Sequence, residues 1–533
     1  MSDRRNTPDC DAVIVGAGFA GMCMLYKLRK LGFTARVYEA GSNVGGTWYW
    51  NRYPGARCDV PSLQYSYQFS EELQQEWQWT ERYSSQPEIL RYANHVADRF
   101  DLRKDMQFDT RVESVVLDEA AHTWTVSTDR GDRVTARFCI MATGCLSTQN
   151  IPKFPGLEDF QGEWHHTGNW PHAGVDFTGK RVGIIGTGST GIQAIPVIAQ
   201  QAQHLYVFQR TPQYSVPARN MPLDKEEEAR IKANYSAYRI KNNSQPFAQD
   251  LDIPEVKTFE VNADERRRRY EECWEKGGLG MMLAYADSGT DLNANLTISD
   301  FVKEKIQHIV KDSTVAEALL PDHIYACKRP CLDTNYFETY NRPNVTLVDL
   351  RDAGIERITV QGVLAKGKDY VLDCLVFATG FDAMTGSLNR IDIRGKSNVA
   401  LKDKWADGPR SYLGLSSAGF PNLFTITGPG SPSVLANMIP AIEQHVNWIG
   451  ACLDYLRAQK RHAIEATTEA ENPWLIQVQT AAEGTLWPSC DNWYLGANVP
   501  GKPRVFMPYV DWVGYVAKCN EVVARGYEGF SLQ

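Results

Sequence analysis

Two glycine clusters carry the first chemical signal in this 533-residue chain. Gly16-Ala17-Gly18-Phe19-Ala20-Gly21 follows the apolar run Asp11-Ala12-Val13-Ile14-Val15 and opens a helical pattern through Leu25, Leu28 and Leu31. Strand, glycines and helix in that order form a dinucleotide fingerprint, which a lone glycine turn would not. The glycines serve a tight turn, close approach of backbone to pyrophosphate, and helix–strand packing. Unpaired N–H groups at the helix N-terminus then face the anion. A second strand, Ala35–Tyr38, ends at Glu39, whose carboxylate can accept hydrogen bonds from both adenosine ribose hydroxyls. That suits FAD or NAD and repels a 2′-phosphate.

The second cluster, Gly186-Thr187-Gly188-Ser189-Thr190-Gly191, follows residues 180–185 and leads into a helix carrying Ile192, Ile195 and Ile198. Its second strand, residues 205–208, runs into Gln209-Arg210-Thr211, a cation where the first unit has Glu39. A guanidinium there forks onto a 2′-phosphate and selects NADP over NAD. Lys328 and Arg329, in Cys327-Lys328-Arg329-Pro330, add two cations if the chain returns to this site. Three further stretches stay open between two readings. Gly46, Thr47, Trp48, Asn51, Arg52 and Asp59 belong either to packing beneath a lid or to a wall for a flat ring system with Asp59 as a nearby charge. Residues 428–438 read as a backbone-to-cofactor approach or as an ordinary turn before a helix with Ile442, Val446 and Ile449. Residues 492–503 read as a mobile loop, a lid over a nicotinamide being one use of it.

The elements that must position these groups form an internal repeat. A polar hairpin (residues 124–127, then 134 onward) feeds Met141-Ala142-Thr143-Gly144, and a run over residues 370–377 feeds Ala378-Thr379-Gly380-Phe381-Asp382. Two fingerprints and two Ala-Thr-Gly closures predict an α/β chain with two Rossmann-like units, the NADP unit inserted in the FAD unit. The expected division is residues 1–145 and 380–533 for FAD, 146–215 and 327–379 for NADP, and 216–326 for a helical insertion. Helices are expected over residues 224–238 and 263–274, and Asn242-Asn243-Ser244 as loop.

Composition narrows the partners. A net charge of -8 argues against general affinity for nucleic acid or anionic membrane, and Arg266 to Arg269, set among acids, reads as a solvated helix face. No apolar run reaches the roughly 20 residues a bilayer needs, and Met1 to Asn6 lacks the apolar core of a signal peptide, so a cytoplasmic protein is expected. The 12 cysteines show neither C-x2-C nor zinc spacing, so no metal site is predicted. They also lack the C-x4-C pair of flavin disulfide reductases, and Cys327 and Cys331 are expected to be reduced thiols.

Phe160-x-Gly162-x3-His166-x3-Trp170-Pro171, set between the two fingerprints, resembles the signature of type I Baeyer–Villiger monooxygenases. The resemblance extends over essentially the whole chain and is nearest to phenylacetone, steroid and cyclohexanone monooxygenases. It implies FAD in the outer unit, NADPH in the inner one, and a ketone and dioxygen as small-molecule partners. It further implies a C4a-peroxyflavin that turns aryl, cyclic or bulky ketones into esters or lactones. Arg329 matches the family's fixed cation and Asp59 the carboxylate that orients it; a second phosphate-binding cation is the other reading of Arg329. Arg210, Thr211 and Lys328 would hold the 2′-phosphate, Trp493 would cover the nicotinamide, and Met438 would lie by flavin and substrate. Tyr65, Val112 and Gly144 are carried over as FAD contacts and Gln193 as an NADP contact. His166 takes a structural or hinge role. Asp511-Trp512-Val513 departs from the two glycines and aromatic often found there, and the bulky Trp512 is expected to change how the tail packs or the lid closes. A monomer or weak homo-oligomer is expected. Oxygenation of N or S atoms and a non-catalytic FAD/NADP sensor are the competing readings.

Overall fold

The structure, a computed structural model, describes residues 7–533; Met1 to Asn6, where a signal peptide's apolar core was sought, lie outside them. Strand Cys10–Val15 is the hub of the first sheet. Ala12, Val13 and Ile14 are wholly buried, and the strand lies parallel to Ala35–Tyr38 on one side and Arg133–Met141 on the other. A short run apolar on both faces suits such a central parallel strand. Gly16 then turns the chain at φ +105°, and a Cβ on Gly21 would sit 1.8 Å from the Gly16 carbonyl oxygen. Only glycine allows both the left-handed turn and the contact of helix on strand. The second unit repeats this, with Gly186 at φ +108° and a Cβ on Gly191 placed 2.2 Å from the Gly186 oxygen.

The first sheet runs in the order Asp392–Arg394, Val112–Asp118, Thr123–Thr128, Arg133–Met141, Cys10–Val15, Ala35–Tyr38, Met106–Gln107. Leu423–Thr425 pairs parallel with the second half of Arg133–Met141, beyond the stretch paired with the hairpin strand. The sheet thus uses strands from both ends of the chain. The second sheet is wholly parallel, in the order Val345–Asp349, His204–Gln209, Arg181–Ile185, Cys374–Phe377, Glu163–His166. Separate apolar cores underlie the two sheets.

Three local expectations differ from the structure. The run over residues 370–377 is two strands: Lys368–Val371 closes a three-stranded meander with Ile355–Thr359 and Gly362–Ala365, and Cys374–Phe377 enters the parallel sheet. Asp373 makes the break, because its carboxylate accepts the Arg181 backbone N–H at 2.8 Å and pairs with the Arg181 guanidinium at 2.7 Å. The helix expected over 224–238 is Lys225–Lys232 followed by Tyr235–Asn243, restarted by Asn234, whose side chain accepts the Ala237 N–H. Asn242 and Asn243, expected as loop, end that second helix. The helical segment also divides its allegiance. Ile231 and Tyr235 pack in the first core, while Tyr270, Trp274 and Phe301 pack in the second. Ala263–Lys276 covers the expected 263–274 helix.

Among the described residues no helix is long and apolar enough to cross a membrane.

Candidate active site

Arg329 sits two residues before strand Cys331–Asp333, which pairs parallel with Ser215–Pro217. The Ser189 hydroxyl lies 3.2 Å from the Cys331 thiol, tying this strand to the second glycine fingerprint. Asp59 comes from the far side, in a loop held by the Cys58 N–H on the Ser84 oxygen and the Gln86 N–H on the Ala56 oxygen. The two meet: Arg329 Nε donates to Asp59 Oδ2 at 2.8 Å, and Arg329 Nη1 donates to the Val434 carbonyl at 2.7 Å. Val434 is at φ +59°, a left-handed conformation that costs a β-branched residue roughly 1–3 kcal/mol and tends to cluster at functional sites. Burial works against the charge on Arg329, but the Asp59 carboxylate and the Tyr494 phenol outweigh it and hold its pKa above the ordinary guanidinium value. The Arg329 side chain still keeps 23% of its surface exposed, so the cation is fixed yet open to a ligand.

Tyr494 was not foreseen. It is buried against Arg329 and its ring packs on Trp493 with centroids 4.2 Å apart. Residues 492–503, expected as a mobile loop, are fastened at several points. Asn492 donates to the Cys327 carbonyl at 2.9 Å, Asn498 to the Phe381 carbonyl at 2.7 Å, and Lys502 to Asp382 at 2.6 Å. Cys327 corrects a second expectation. It is joined to Cys490 in a disulfide, while Cys331 is free and buried, its thiol pushed up to about 12 by burial. The pairing crosses 163 residues, beyond what local spacing reveals.

The remaining nominated residues fall into clear positions. Glu39 is buried, and its two oxygens accept the Ala17 and Gly41 N–H groups, each at 2.7 Å, which orients the carboxylate at the strand end. Phe19 and Ala20 are buried on the first fingerprint helix, Phe19 packing against Tyr65. Gly46 and Thr47 start a short helix whose Trp48 indole donates to the Tyr65 hydroxyl at 3.0 Å. Asn51 caps back onto the Thr47 carbonyl. Arg52 lies over the Tyr49 ring and lines a surface cleft of about 490 Å3 with Gln86, Leu90, Asn94 and His95; that cleft contains neither Arg329 nor Asp59. Val112 packs with Val13 and Val15 beneath the sheet. Gly144 is at φ +71° and its carbonyl accepts the Ser387 hydroxyl at 2.9 Å. Met438 begins helix Met438–Ala458, its sulfur accepting the Val434 N–H at 3.3 Å.

On the second unit, the Thr187 hydroxyl donates to the Thr211 carbonyl at 3.1 Å, bringing the fingerprint beside exposed Arg210. The Lys328 pKa is lowered, first by burial and then by Arg210, with Asp491 opposing. Gln193 faces the other unit: its amide oxygen accepts the Tyr53 hydroxyl at 2.8 Å and its nitrogen donates to the Arg57 carbonyl at 3.0 Å. It joins the two units, and Thr190 lies beside it on the same helix.

The Phe160 to Pro171 stretch between the fingerprints forms part of the second sheet. Glu163–His166 is an edge strand of the second sheet, and Trp170 is buried in that sheet's core while its N–H reaches the Trp50 carbonyl. His166 Nδ1 accepts the Gly168 N–H at 3.0 Å, and Nε2 faces the Thr379 hydroxyl at 3.4 Å. Burial lowers its pKa to about 4, so the ring is neutral at pH 7. Trp512, the noted departure, is buried against Ala248, Ala436 and Ala441, and its indole donates to the Asn243 carbonyl at 2.8 Å. It therefore ties the C-terminal tail to the helical segment and to the chain just after Val434.

The glycine cradles fit two dinucleotides. Helices Phe19–Lys30 and Ser189–Gln201 both start at a glycine with no side-chain cap, leaving first-turn N–H groups for an anion. A Cβ on Gly188 would meet nothing within 4 Å, so space lies open over the second helix start. Two glycine-turned dinucleotide cradles in one chain are the arrangement of an oxidoreductase that uses both a flavin and a nicotinamide nucleotide.

Similarity to known proteins makes the class specific. The family model described as pyridine nucleotide-disulphide oxidoreductase matches residues 13–267; that stretch holds no C-x4-C pair, so the match reflects the dinucleotide fold. A Baeyer–Villiger monooxygenase from Pseudooceanicola batsensis is 43% identical over 526 residues, covering 97% of this chain and 95% of that one. A phenazine N-monooxygenase from Lysobacter antibioticus is 43% identical over 527 residues, covering 98% and 97%. The structure of an oxidized steroid monooxygenase bound to NADP is 51% identical with a TM-score of 0.94, covering 98% of this chain and 99% of that one. The chain belongs to the type I Baeyer–Villiger monooxygenases, flavoenzymes that use FAD, NADPH and dioxygen to convert ketones to esters or lactones.

Proposed function

We propose that this enzyme oxidises aryl, cyclic or bulky ketones, with Arg329 as the catalytic cation and Asp59 as the residue that aims it. The observation that carries this reading is the Arg329 geometry, a guanidinium fixed by Asp59 and the Val434 carbonyl at the meeting point of both units. Bound FAD, reduced by NADPH, supplies the activated oxygen. A ketone is attacked well only while that oxygen stays deprotonated, and a preorganised cation stabilises negative charge there. Two of the five guanidinium N–H groups bond Asp59 and Val434 and the Tyr494 phenol lies against the group; the N–H groups left free of these partners serve the developing charge. Tyr494, buried against Arg329 and packed on Trp493, is assigned to shielding that side of the guanidinium.

The cofactor roles follow the same plan. Gly16, Gly18, Gly21 and Glu39 hold the FAD pyrophosphate and ribose, and the 46–52 segment with Asp59, Tyr65 and Gly144 borders the flavin. Gly186, Gly188, Ser189 and Thr190 hold the NADP pyrophosphate, Arg210, Thr211 and Lys328 its 2′-phosphate, and Trp493 its nicotinamide side. Residues 1–145 with 380–533 form the FAD unit, a division supported by Asp392–Arg394 and Leu423–Thr425 lying in the first sheet. Residues 146–215 with 327–379 form the NADP unit, and 216–326 bridge them. The enzyme works in the cytoplasm as a monomer or weak homo-oligomer.

A second reading, N-oxidation as the main activity, is favoured by the identity to a phenazine N-monooxygenase. The ion-paired Arg329 speaks against it, because transfer of oxygen to a heteroatom lone pair gains nothing from a deprotonated oxidant. A panel of ketones, amines and thioethers with product analysis decides. Ester or lactone from at least one ketone, lost in Arg329→Ala while flavin binding persists, is the expected outcome. N-oxide or sulfoxide with no ester from any ketone overturns the proposal.

A further inference from the structure

We propose that Cys327 and Cys490 form a thiol–disulfide site through which a dithiol reductant controls closure of the 490–503 segment over NADP. The inference rests on the reading of Trp493 as the cover of the nicotinamide side. The disulfide joins two places that matter to that reading: Cys327 directly precedes Lys328 and Arg329, and Cys490 lies three residues before Trp493. The ties around it are weaker and reversible. Asn492 donates to the Cys327 carbonyl at 2.9 Å, and the Lys328 ammonium donates to the Asp491 carbonyl. In the oxidised protein Trp493 and Tyr494 are held against the arginine by a covalent tie; in the reduced protein hydrogen bonds, the Lys502–Asp382 ion pair and the packing of Tyr494 remain to hold them.

The surroundings suit exchange chemistry more than permanent bracing. Cys327 is wholly buried, whereas Cys490 is half-buried between exposed Ser489 and Asp491. An incoming thiolate therefore attacks Cys490 Sγ. The S–S bond breaks, and Cys327 leaves as a thiolate beside His323, whose Nδ1 lies 3.5 Å from its sulfur; burial lowers the His323 pKa and keeps that ring neutral, so the thiolate takes its proton from solvent as the segment opens. The second thiol of the reductant then attacks the mixed disulfide, releases Cys490 as a thiolate that solvent protonates, and closes the reductant's own disulfide. Two electrons and two protons pass from the dithiol to the protein. In the cytoplasm proposed for this enzyme, disulfides that do form are usually transient or redox-sensing. Ala326, directly before the buried sulfur, is at φ +62°, a left-handed conformation that is costly for a non-glycine residue and clusters at switch regions.

The test uses the FAD-loaded enzyme in three forms: air-equilibrated, reduced with dithiothreitol under argon, and the Cys490→Ser variant, with Trp493→Ala as a control for the cover itself. Non-reducing peptide mapping reads the bond, and titration with NADP+ reads closure. The expected result is a Cys327–Cys490 peptide that vanishes on reduction, with the NADP+ Kd rising about tenfold if the closed fraction drops to roughly a tenth. Cys490→Ser should show the raised Kd with no response to dithiothreitol. Absence of the cross-linked peptide, a Kd that stays within about twofold on reduction, or a Cys490→Ser variant that still responds overturns the proposal. If Trp493→Ala raises the Kd while reduction does not, the disulfide proposal alone fails. If both leave it unchanged, the reading of the cover fails as well.

Discussion

Replacing Asp59 with asparagine separates the aiming of Arg329 from its presence. The amide keeps an oxygen where the carboxylate accepted Arg329 Nε at 2.8 Å, so a hydrogen bond survives and the charge attraction does not. Unit charges about 4 Å apart attract by ~4 kcal/mol at an effective dielectric of ~20. The two side chains keep 23% and 26% of their surface exposed, and solvent screening reduces the figure to roughly 2 kcal/mol. At about 1.4 kcal/mol per tenfold, that predicts a loss of roughly 30-fold in ester formation if the whole term serves orientation. Anaerobic stopped-flow with NADPH reads the reductive step, and ester release with dioxygen reads the oxidative one. Asp59→Asn should reduce its flavin within about threefold of the parental rate and slow only ester formation. A variant whose two steps fall together, or whose ester rate is unchanged, refutes the assignment of Asp59 as the aiming group.

Other outcomes follow from the same geometry. Arg210→Ala should raise the NADPH KM by about 10–100-fold with little change for NADH, since a charged phosphate contact is worth about 1.5–3 kcal/mol; steady-state kinetics with both nucleotides checks this. Trp512→Gly empties a buried site and removes the indole bond to the Asn243 carbonyl, so a loss of about 3–5 kcal/mol is expected in denaturant unfolding. It should also broaden tolerance for larger ketones through the adjoining residues 434–438. His166 has its folded pKa lowered from 6.5 to about 4 by burial. The unfolded state therefore binds more protons in that window, so stability is present above about pH 6.5 and lost as pH falls toward 4, by at most roughly 3 kcal/mol. His166→Gln should flatten the fall in Tm over that range, and a variant with an unaltered slope contradicts the buried neutral ring.

Both dinucleotide units are legible from residues alone because their steric demands are local. Gly16 and Gly186 need left-handed φ, Gly21 and Gly191 leave no room for a Cβ, and each demand falls within six residues of a strand end. Strand Ala35–Tyr38 and the contrast of Glu39 with Arg210 are read the same way. The pairing of Arg329 with Asp59, 270 residues apart, is visible only through likeness to a family, because nothing in either neighbourhood names the other. The Val434 carbonyl and the Tyr494 phenol escaped notice for a related reason: a backbone oxygen leaves no mark in residue identity, and a tyrosine amid aromatics resembles packing. The helix break at Asn234 and the strand break at Asp373 depend on side chains capturing backbone N–H groups. Those outcomes compete closely with continuation of the element. Trp512 was visible as a departure, but its partners Ala248, Ala436 and Ala441 lie far away in the chain and could be found only in the folded molecule.

The central claim is that a fixed Arg329 makes this flavoenzyme an oxidant of carbonyl carbon. Incubating the FAD-loaded enzyme with NADPH, 18O-labelled dioxygen and a panel of aryl and cyclic ketones tests it most directly, with mass analysis of every product. The account predicts an ester or lactone carrying one labelled oxygen, formed in step with NADPH consumption and absent from Arg329→Ala. NADPH consumption without labelled ester from any ketone, alongside efficient labelling of an amine or thioether, would contradict it.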